Sequence, residues 1–251
     1  EQLYTLNPDY ISCTYGAGGT NVGKNLEVLD KIKKDGKCTP VTHFTCIGNT
    51  KEGIKEQLQN YLDHGINHML ALRGDLPFGW TGTGGDLHYA TELVKFVRQE
   101  FGDKFCIAVA GSPEGHIACE DLNLSVEHLK QKQDAGASFF VTQLFFDNEC
   151  FYRFRELADK AGITVPITAG IMPFMGKSQI SRMVFMCGAS LPSPVIKILA
   201  KYENDPESLQ AAGVDYAARQ LCDLKEHGAD GLHLYTMNRP AIAATIMERL
   251  G

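Results

Sequence analysis

Short apolar runs rich in β-branched and aromatic residues alternate with longer amphipathic stretches along the chain. The pitch is about 30 residues, the pattern of repeated strand–helix units. The runs that read as strands are YISCT (Tyr10–Thr14), VTHFT (Val41–Thr45), HMLAL (His68–Leu72) and FCIAVA (Phe105–Ala110). FFVTQLFF (Phe139–Phe146), PITAGI (Pro166–Ile171) and GLHLY (Gly231–Tyr235) continue the series. Between them, the stretches NLEVLDKIKKDG, KEGIKEQLQNYLDHG, YATELVKFVRQEFG, SVEHLKQKQDAGA, ECFYRFRELADKAG and DYAARQLCDLKEHGADG carry helical periodicity. Most end in glycine just before the next strand, where a left-handed residue closes a helix. The strands show little polar alternation, which implies burial on both faces and a parallel sheet covered by helices.

That makes about seven strand–helix units, where a closed (β/α)8 barrel has eight. EQLYTLN at the start reads as the tail of a helix whose strand would precede residue 1. The predicted fold is therefore α/β, a (β/α)8 TIM barrel lacking its first strand in this chain, as a single domain over residues 1–251. An open doubly wound sheet is the alternative, but nothing in the order of elements marks a topological switch point. The longest interval, Pro173 to Ala229, is expected to hold a βα loop, extra helices and the last crossover.

Composition narrows the function classes. The 251 residues carry 24 Lys+Arg against 30 Asp+Glu, a net charge of −6, which argues against a nucleic-acid partner. No run of about 18 apolar residues suggests a membrane span. EQLYTLNPDY has neither the basic nor the apolar region of a signal peptide, so a cytoplasmic location is expected. Of the eight cysteines, Cys13, Cys46 and Cys106 sit in apolar strand-like runs and no C-x-x-C pair occurs, a pattern of reduced thiols. His64 and His68 are four apart but flank Gly65 and Asn67, a poor helical zinc pair, and no metal is expected.

Candidate chemistry gathers at the ends of the predicted strands, which in a barrel line the active-site mouth. YGAGGTNVGKN after the first strand approaches a P-loop, but Asn25 stands where the Mg²⁺-binding hydroxyl belongs, so it reads as an ordinary βα loop. ALRGDLP (Ala71–Pro77) places Arg73, Gly74 and Asp75 together at a strand end, a guanidinium for phosphate, backbone room and a carboxylate. The other strand ends bring Thr14, His43 with Thr45, Ser112 with Glu114 and His116, Thr142 with Gln143, and Tyr235 with Asn238 and Arg239. Gln143, among Phe139, Phe140, Phe145 and Phe146, suits hydrogen bonding to a flat heteroaromatic ring. No Ser-His-Asp or Cys-His arrangement stands out.

These strand-end words resemble the methylenetetrahydrofolate reductase family. The matching motifs are CTYGAGG, HFTCIG, ALRGD, HYATELV, SPEGH, LKQKQDAGA, FVTQLFFD, GIMP and LYTMNR, and they span nearly the whole chain. The chain stops one helix after LYTMNR, like the short bacterial form of the family. The resemblance implies a flavin-dependent barrel that reduces 5,10-methylenetetrahydrofolate to 5-methyltetrahydrofolate, with NADH or NADPH as electron donor in one-carbon metabolism. It implies FAD at the barrel mouth, contacted by Thr14, Tyr15, Ala17, His43, Arg73, Gly74, Asp75, Tyr89, Ala90, His116 and Lys132. Asp75 and Gln143 would serve the chemistry, and Gln143, Gln179, Tyr235 and Arg239 would bind the folate.

Departures from the family pattern accompany the resemblance. Ser112 stands where Tyr is common, Ser125 where an Asp binds the ribose side, and Gln131 where some members have Arg. The family's first strand, with its general-acid glutamate, aligns with nothing in residues 1–251. Rival readings are another barrel enzyme, such as an aldolase or a proline-oxidising flavoenzyme, and a non-catalytic flavin-binding electron-transfer subunit. A homo-oligomer or an electron-transfer partner subunit is compatible with the sequence.

Overall fold

The computed structural model describes residues 1–14, 22–75, 82, 84–119 and 121–250. A 3-10 helix, Gln2–Leu6, precedes β1 (Tyr10–Cys13), where the sequence reads as a helix tail. Then follow α1 (Val22–Asp35), β2 (Thr39–Thr45), α2 (Lys51–Asp63), β3 (His68–Leu72), α3 (Ala90–Phe101) and β4 (Cys106–Gly111). The chain continues through α4 (Leu122–Asp134), β5 (Phe139–Thr142), α5 (Asn148–Lys160) and β6 (Ile167–Ile171). The interval before the last strand holds three helices, α6 (Lys177–Cys187), α7 (Ser193–Lys201) and α8 (Pro206–Glu226). β7 (Gly231–Leu234) and α9 (Pro240–Leu250) close the order. Strand order follows chain order, β1 through β7, with no reversal, so the doubly wound alternative has no switch point to stand on.

The chain packs as two compact units, one built on Leu3–Ala110 and Gln131–Phe139, the other on Gly111–Lys130 and Phe140–Gly251. In the first, β1, β2, β3 and β4 pair in parallel, with Cys13 opposite Thr42, Thr45 opposite Leu72 and Ala71 opposite Val109. The inward stripes of α1, α2 and α3 (Leu29, Ile54, Leu58, Leu93, Val97) are fully buried with Phe44 and Met69 of the strands. Gly36 and Gly65 take φ 63° and 71° just past α1 and α2, which is why both predicted helices stop there.

In the second unit β5, β6 and β7 pair in parallel, Val141 opposite Thr168 and Ile171 opposite Leu234. All five residues of β6 are buried, as a strand covered on both faces requires. β1 and β7 are half-buried along their length; each ends the strand order, with no strand beyond it among the described residues. A second apolar cluster gathers Leu144, Phe146, Met172, Phe174, Ile180, Val195 and Leu209 beneath α6, α7 and α8. Gly213 is what lets α8 lie there: a Cβ at this position would stand 1.9 Å from the Phe174 carbonyl oxygen. All eight cysteines are free thiols. No helix among the described residues is long and apolar enough to cross a membrane.

Candidate functional site

In the first unit the parallel register aligns the C-terminal strand tips. Thr14 follows β1, His43 and Thr45 finish β2, Arg73, Gly74 and Asp75 follow β3, and Ala110 lies at the end of β4. The pairing runs past the strands: the Cys46 N–H donates to the Leu72 carbonyl at 3.1 Å and the Ile47 N–H to the Arg73 carbonyl at 3.0 Å. Arg73 is half-buried and Asp75 exposed, and Gly74 bends the chain between them at φ 95°.

His43 faces away from the helices. Strand side chains alternate, and its neighbours Thr42 and Phe44 meet α1 and α2, through a 3.1 Å bond to Asn25 and an edge contact with Tyr61. The His43 Nε2 is buried with no hydrogen-bond partner among the described residues. Burial pushes the imidazole down to about 4, so the ring is neutral at physiological pH. Lys132 reaches the same edge from the last turn of α4, and its Nζ donates to the Ala110 carbonyl at 2.8 Å. Burial lowers this ammonium to about 8, because desolvation disfavours the charged form. An orphaned ring nitrogen and a desolvated cation therefore share the strand-tip edge of the first unit.

Tyr89 and Ala90 open α3, and Tyr89 is 62% exposed. The segment leading to them is fastened to the exit of β2. The Asp86 N–H donates to the Asn49 carbonyl at 3.1 Å, while the Asp86 carboxylate accepts from the Lys51 N–H at 2.9 Å. Asn49 in turn donates to the Thr45 and Ile47 carbonyls, at 3.1 Å each. Asn49 and Asp86 are positioning residues that sequence reasoning missed; the Asn-Thr before α2 and Gly-Asp before HYATELV were the available signal. Asn25, read in sequence as a failed P-loop position, is a buried structural hub, donating to the Cys13 carbonyl and accepting from Thr42 and Tyr61. Tyr15 and Ala17 lie outside the described residues.

The second unit holds the remaining candidates. The Gln143 N–H donates to the Gly111 carbonyl at 2.7 Å, and its side-chain oxygen accepts from the Leu144 N–H at 2.9 Å. His116 is exposed in the loop after β4, where the Ser125 hydroxyl accepts its N–H at 3.2 Å and its Nδ1 accepts from the Ala118 N–H at 3.1 Å. Gln179, in the first turn of α6, takes the Met175 N–H at 2.7 Å and so braces the GIMP loop. The Tyr235 hydroxyl reaches over β6 and donates to the Thr142 carbonyl at 2.8 Å. Its hydroxyl thus serves the ends of the strands, and Gly170 beneath it leaves the room: a Cβ there would stand 2.8 Å from the Tyr235 ring. Arg239 is exposed at the entrance to α9, just after Met237 and Asn238, which hold the left-handed backbone at φ 49° and 56°. No cluster of three or more metal-ligating side chains exists among the described residues.

Comparison with known proteins adds an independent line. The sequence profile of the family described as methylenetetrahydrofolate reductase matches residues 1–251. Methylenetetrahydrofolate reductase 1 of Schizosaccharomyces pombe is 35% identical over 246 residues, 97% of this chain, which spans 41% of that protein's length. The 5,10-methylenetetrahydrofolate reductase of Pectobacterium carotovorum is 34% identical over 251 residues, covering all of this chain and 83% of its own. Among solved structures, a Clostridium thermocellum protein described as binding two copies of 5-methyl-5,6,7,8-tetrahydrofolic acid superposes with a TM-score of 0.69. That match covers 99% of this chain and 85% of the other at 14% identity, and it speaks for the fold alone. Strand tips, motif order and profile agree: the chain belongs to the methylenetetrahydrofolate reductase family.

Proposed function

We propose that this chain reduces 5,10-methylenetetrahydrofolate to 5-methyltetrahydrofolate, using FAD and a reduced nicotinamide, NADH or NADPH. The observation that carries the flavin is the pairing of His43 and Lys132 at one strand-tip edge. A buried ring nitrogen without a partner among the described residues calls for a polar ligand. A desolvated ammonium bonded to a backbone carbonyl, with no carboxylate paired to it among the described residues, calls for an anion. A dinucleotide with a polar ring system and a pyrophosphate supplies both, so the residues present fit the group. When bound, FAD supplies hydride transfer in both directions, chemistry no side chain here provides.

The chain's own residues have separable tasks in this reading. Arg73 and Lys132 hold pyrophosphate charge, and Thr14 and His43 hydrogen-bond the cofactor at the strand tips. Gly74 lets backbone approach it, and Tyr89, exposed at the head of α3, lies against a ring. Tyr15, Ala17, Ala90 and His116 complete the cofactor contacts. Gln143 and Gln179 orient the folate ring, and Arg239 meets its acidic end. Tyr235 acts on the folate side chiefly by fixing the tip of β5. Asp75 offers a carboxylate to the folate, whose cationic form during reduction it would favour.

An absorption spectrum near 450 nm, followed by anaerobic titration with NADH and NADPH, tests the reading. Bound yellow flavin, bleached by at least one nicotinamide and re-oxidised by the folate, is the expected result. A colourless protein that cannot be reconstituted with FAD overturns it. Yellow protein bleached by neither donor points to the electron-transfer subunit instead. In stopped-flow traces Asp75→Asn is expected to slow the folate half-reaction more than flavin reduction; equal rates in both halves remove Asp75 from the chemistry.

A further inference from the structure

Glu114 has no part in the scheme above, yet it carries a long-range polar contact of the loop that holds His116. Both of its carboxylate oxygens accept the Ser190 N–H, at 3.1 Å each, 76 residues away in sequence. Ser190 lies in the connection between α6 and α7. A second contact joins the same two segments, because Gly188, which closes α6 at φ 67°, stands against Ile117: a Cβ on Gly188 would lie 3.5 Å from the Ile117 Cβ. The loop is pinned from its other side as well. The Gly115 N–H donates to the Ser112 carbonyl at 3.0 Å, the His116 N–H to the Ser125 hydroxyl at 3.2 Å, and the Cys119 N–H to the His116 carbonyl at 2.7 Å.

These contacts also fix the ring. The Ala118 N–H donates to His116 Nδ1 at 3.1 Å, so Nδ1 is the unprotonated nitrogen and the neutral ring carries its proton on Nε2. His116 is held as a donor, at an orientation set by the loop's own backbone. The Glu114 clasp then decides where that loop stands relative to α6, whose first turn carries Gln179.

We propose that Glu114 is a positioning residue: its carboxylate on the Ser190 N–H ties the His116 loop to α6, so that one clasp sets the spacing between the cofactor-side histidine and the folate-side Gln179. The proposal rests on the functional reading above and deepens it. A charged acceptor on a backbone N–H is among the stronger hydrogen bonds, and Glu114 is half-buried, where solvent competes less.

The test is steady-state kinetics and FAD titration of Glu114→Ala and Glu114→Gln in the full chain. Removing one charge-assisted bond predicts a rise of about tenfold in the folate KM and the FAD Kd of the alanine variant, with kcat within about twofold. Glutamine keeps an oxygen that can accept the same N–H and is expected to recover most of the loss. Wild-type KM and Kd in Glu114→Ala overturn the proposal, as does a glutamine variant as impaired as alanine. Should the alanine variant fail to fold, Ser190→Pro removes the donor and keeps the carboxylate; it is then required to show the same KM rise, and a wild-type KM overturns the clasp. Hydrogen exchange separates this from failure of the functional reading. In protein that binds no flavin at all, the Ser190 N–H is still expected to exchange faster in Glu114→Gln than in wild type and faster again in Glu114→Ala, and unchanged exchange overturns the tether.

Discussion

At the scale of single residues, Lys132 concentrates the conflict between folding and binding. Burial lowers its ammonium to about 8, below the value near 10.4 of an unfolded lysine. Between those values the unfolded chain binds more protons than the folded one, so stability rises with pH across that window and the penalty is complete below about pH 8. Lys132→Met is therefore expected to raise the melting temperature of the flavin-free protein at pH 7, and to raise it less at pH 10, while weakening FAD. A variant that loses stability at pH 7, or binds FAD as tightly as wild type, contradicts this assignment. The sequence offered the lysine but not its burial, which depends on the Ala110 carbonyl that it bonds. Asn25 is the opposite case. Its place in a glycine-rich stretch read as an ordinary βα loop, but the polar atoms that claim it come from β1, β2 and α2, contacts that only the packing reveals.

At the scale of elements, periodicity located the strands because a parallel sheet covered by helices leaves largely apolar runs with little polar alternation. It overran β5, which stops at Thr142 although the apolar run continues to Phe146. Phe145 and Phe146 are buried off the strand, stacked on Phe151 of α5 and edge-on to Phe174, so their hydrophobicity reports core rather than sheet. α1 and α4 begin at Val22 and Leu122, ahead of the predicted Asn25 and Ser125, since turn-like polar residues at a helix start blur the boundary. Gly170 of β6 was invisible as a constraint. A Cβ there would stand 2.3 Å from the Thr142 carbonyl oxygen, a backbone atom that cannot swing aside. Gly170→Ala is expected to cost about 1–3 kcal/mol in urea unfolding, as overpacking does. Tyr235→Phe, which deletes the hydroxyl's bond to Thr142, is expected to cost about 1 kcal/mol. The reverse order of the two penalties would mean the strand tips yield more readily than their contacts indicate.

For the molecule as a whole, the −6 charge and 30 carboxyl-bearing residues set a background acid sensitivity onto which His43 adds a specific step. The His43 ring is lowered to about 4 by burial, against about 6.5 in an unfolded chain. Unfolding takes up a proton between those values, so the stability held above about pH 6.5 is lost as the pH falls toward about 4. His43→Gln is expected to flatten the decline in melting temperature between pH 6.5 and pH 4.5, and an unchanged slope would assign that decline to the carboxylates alone. The α/β class, with parallel strands in chain order, was legible from the repeating units, and the strand tips told which residues to ask about. What the pattern could not show was the bracing behind them, the Asn49–Asp86 fastening and the Glu114 clasp, because each joins segments far apart in sequence through a backbone group whose partner the sequence does not name.

Thr142 shows what such bracing entails. Its hydroxyl accepts the Gly170 N–H at 2.8 Å, its carbonyl accepts the Tyr235 hydroxyl, and Gln143, which follows it, is anchored to Gly111. One threonine is thereby keystone to the tips of β5, β6 and β7, and in the proposed function a guest seated on Gln143 would meet a stiff rim: shape would be chosen before arrival, and discrimination between pterin and nicotinamide would have to come from the side-chain amide turning, not from the wall giving way.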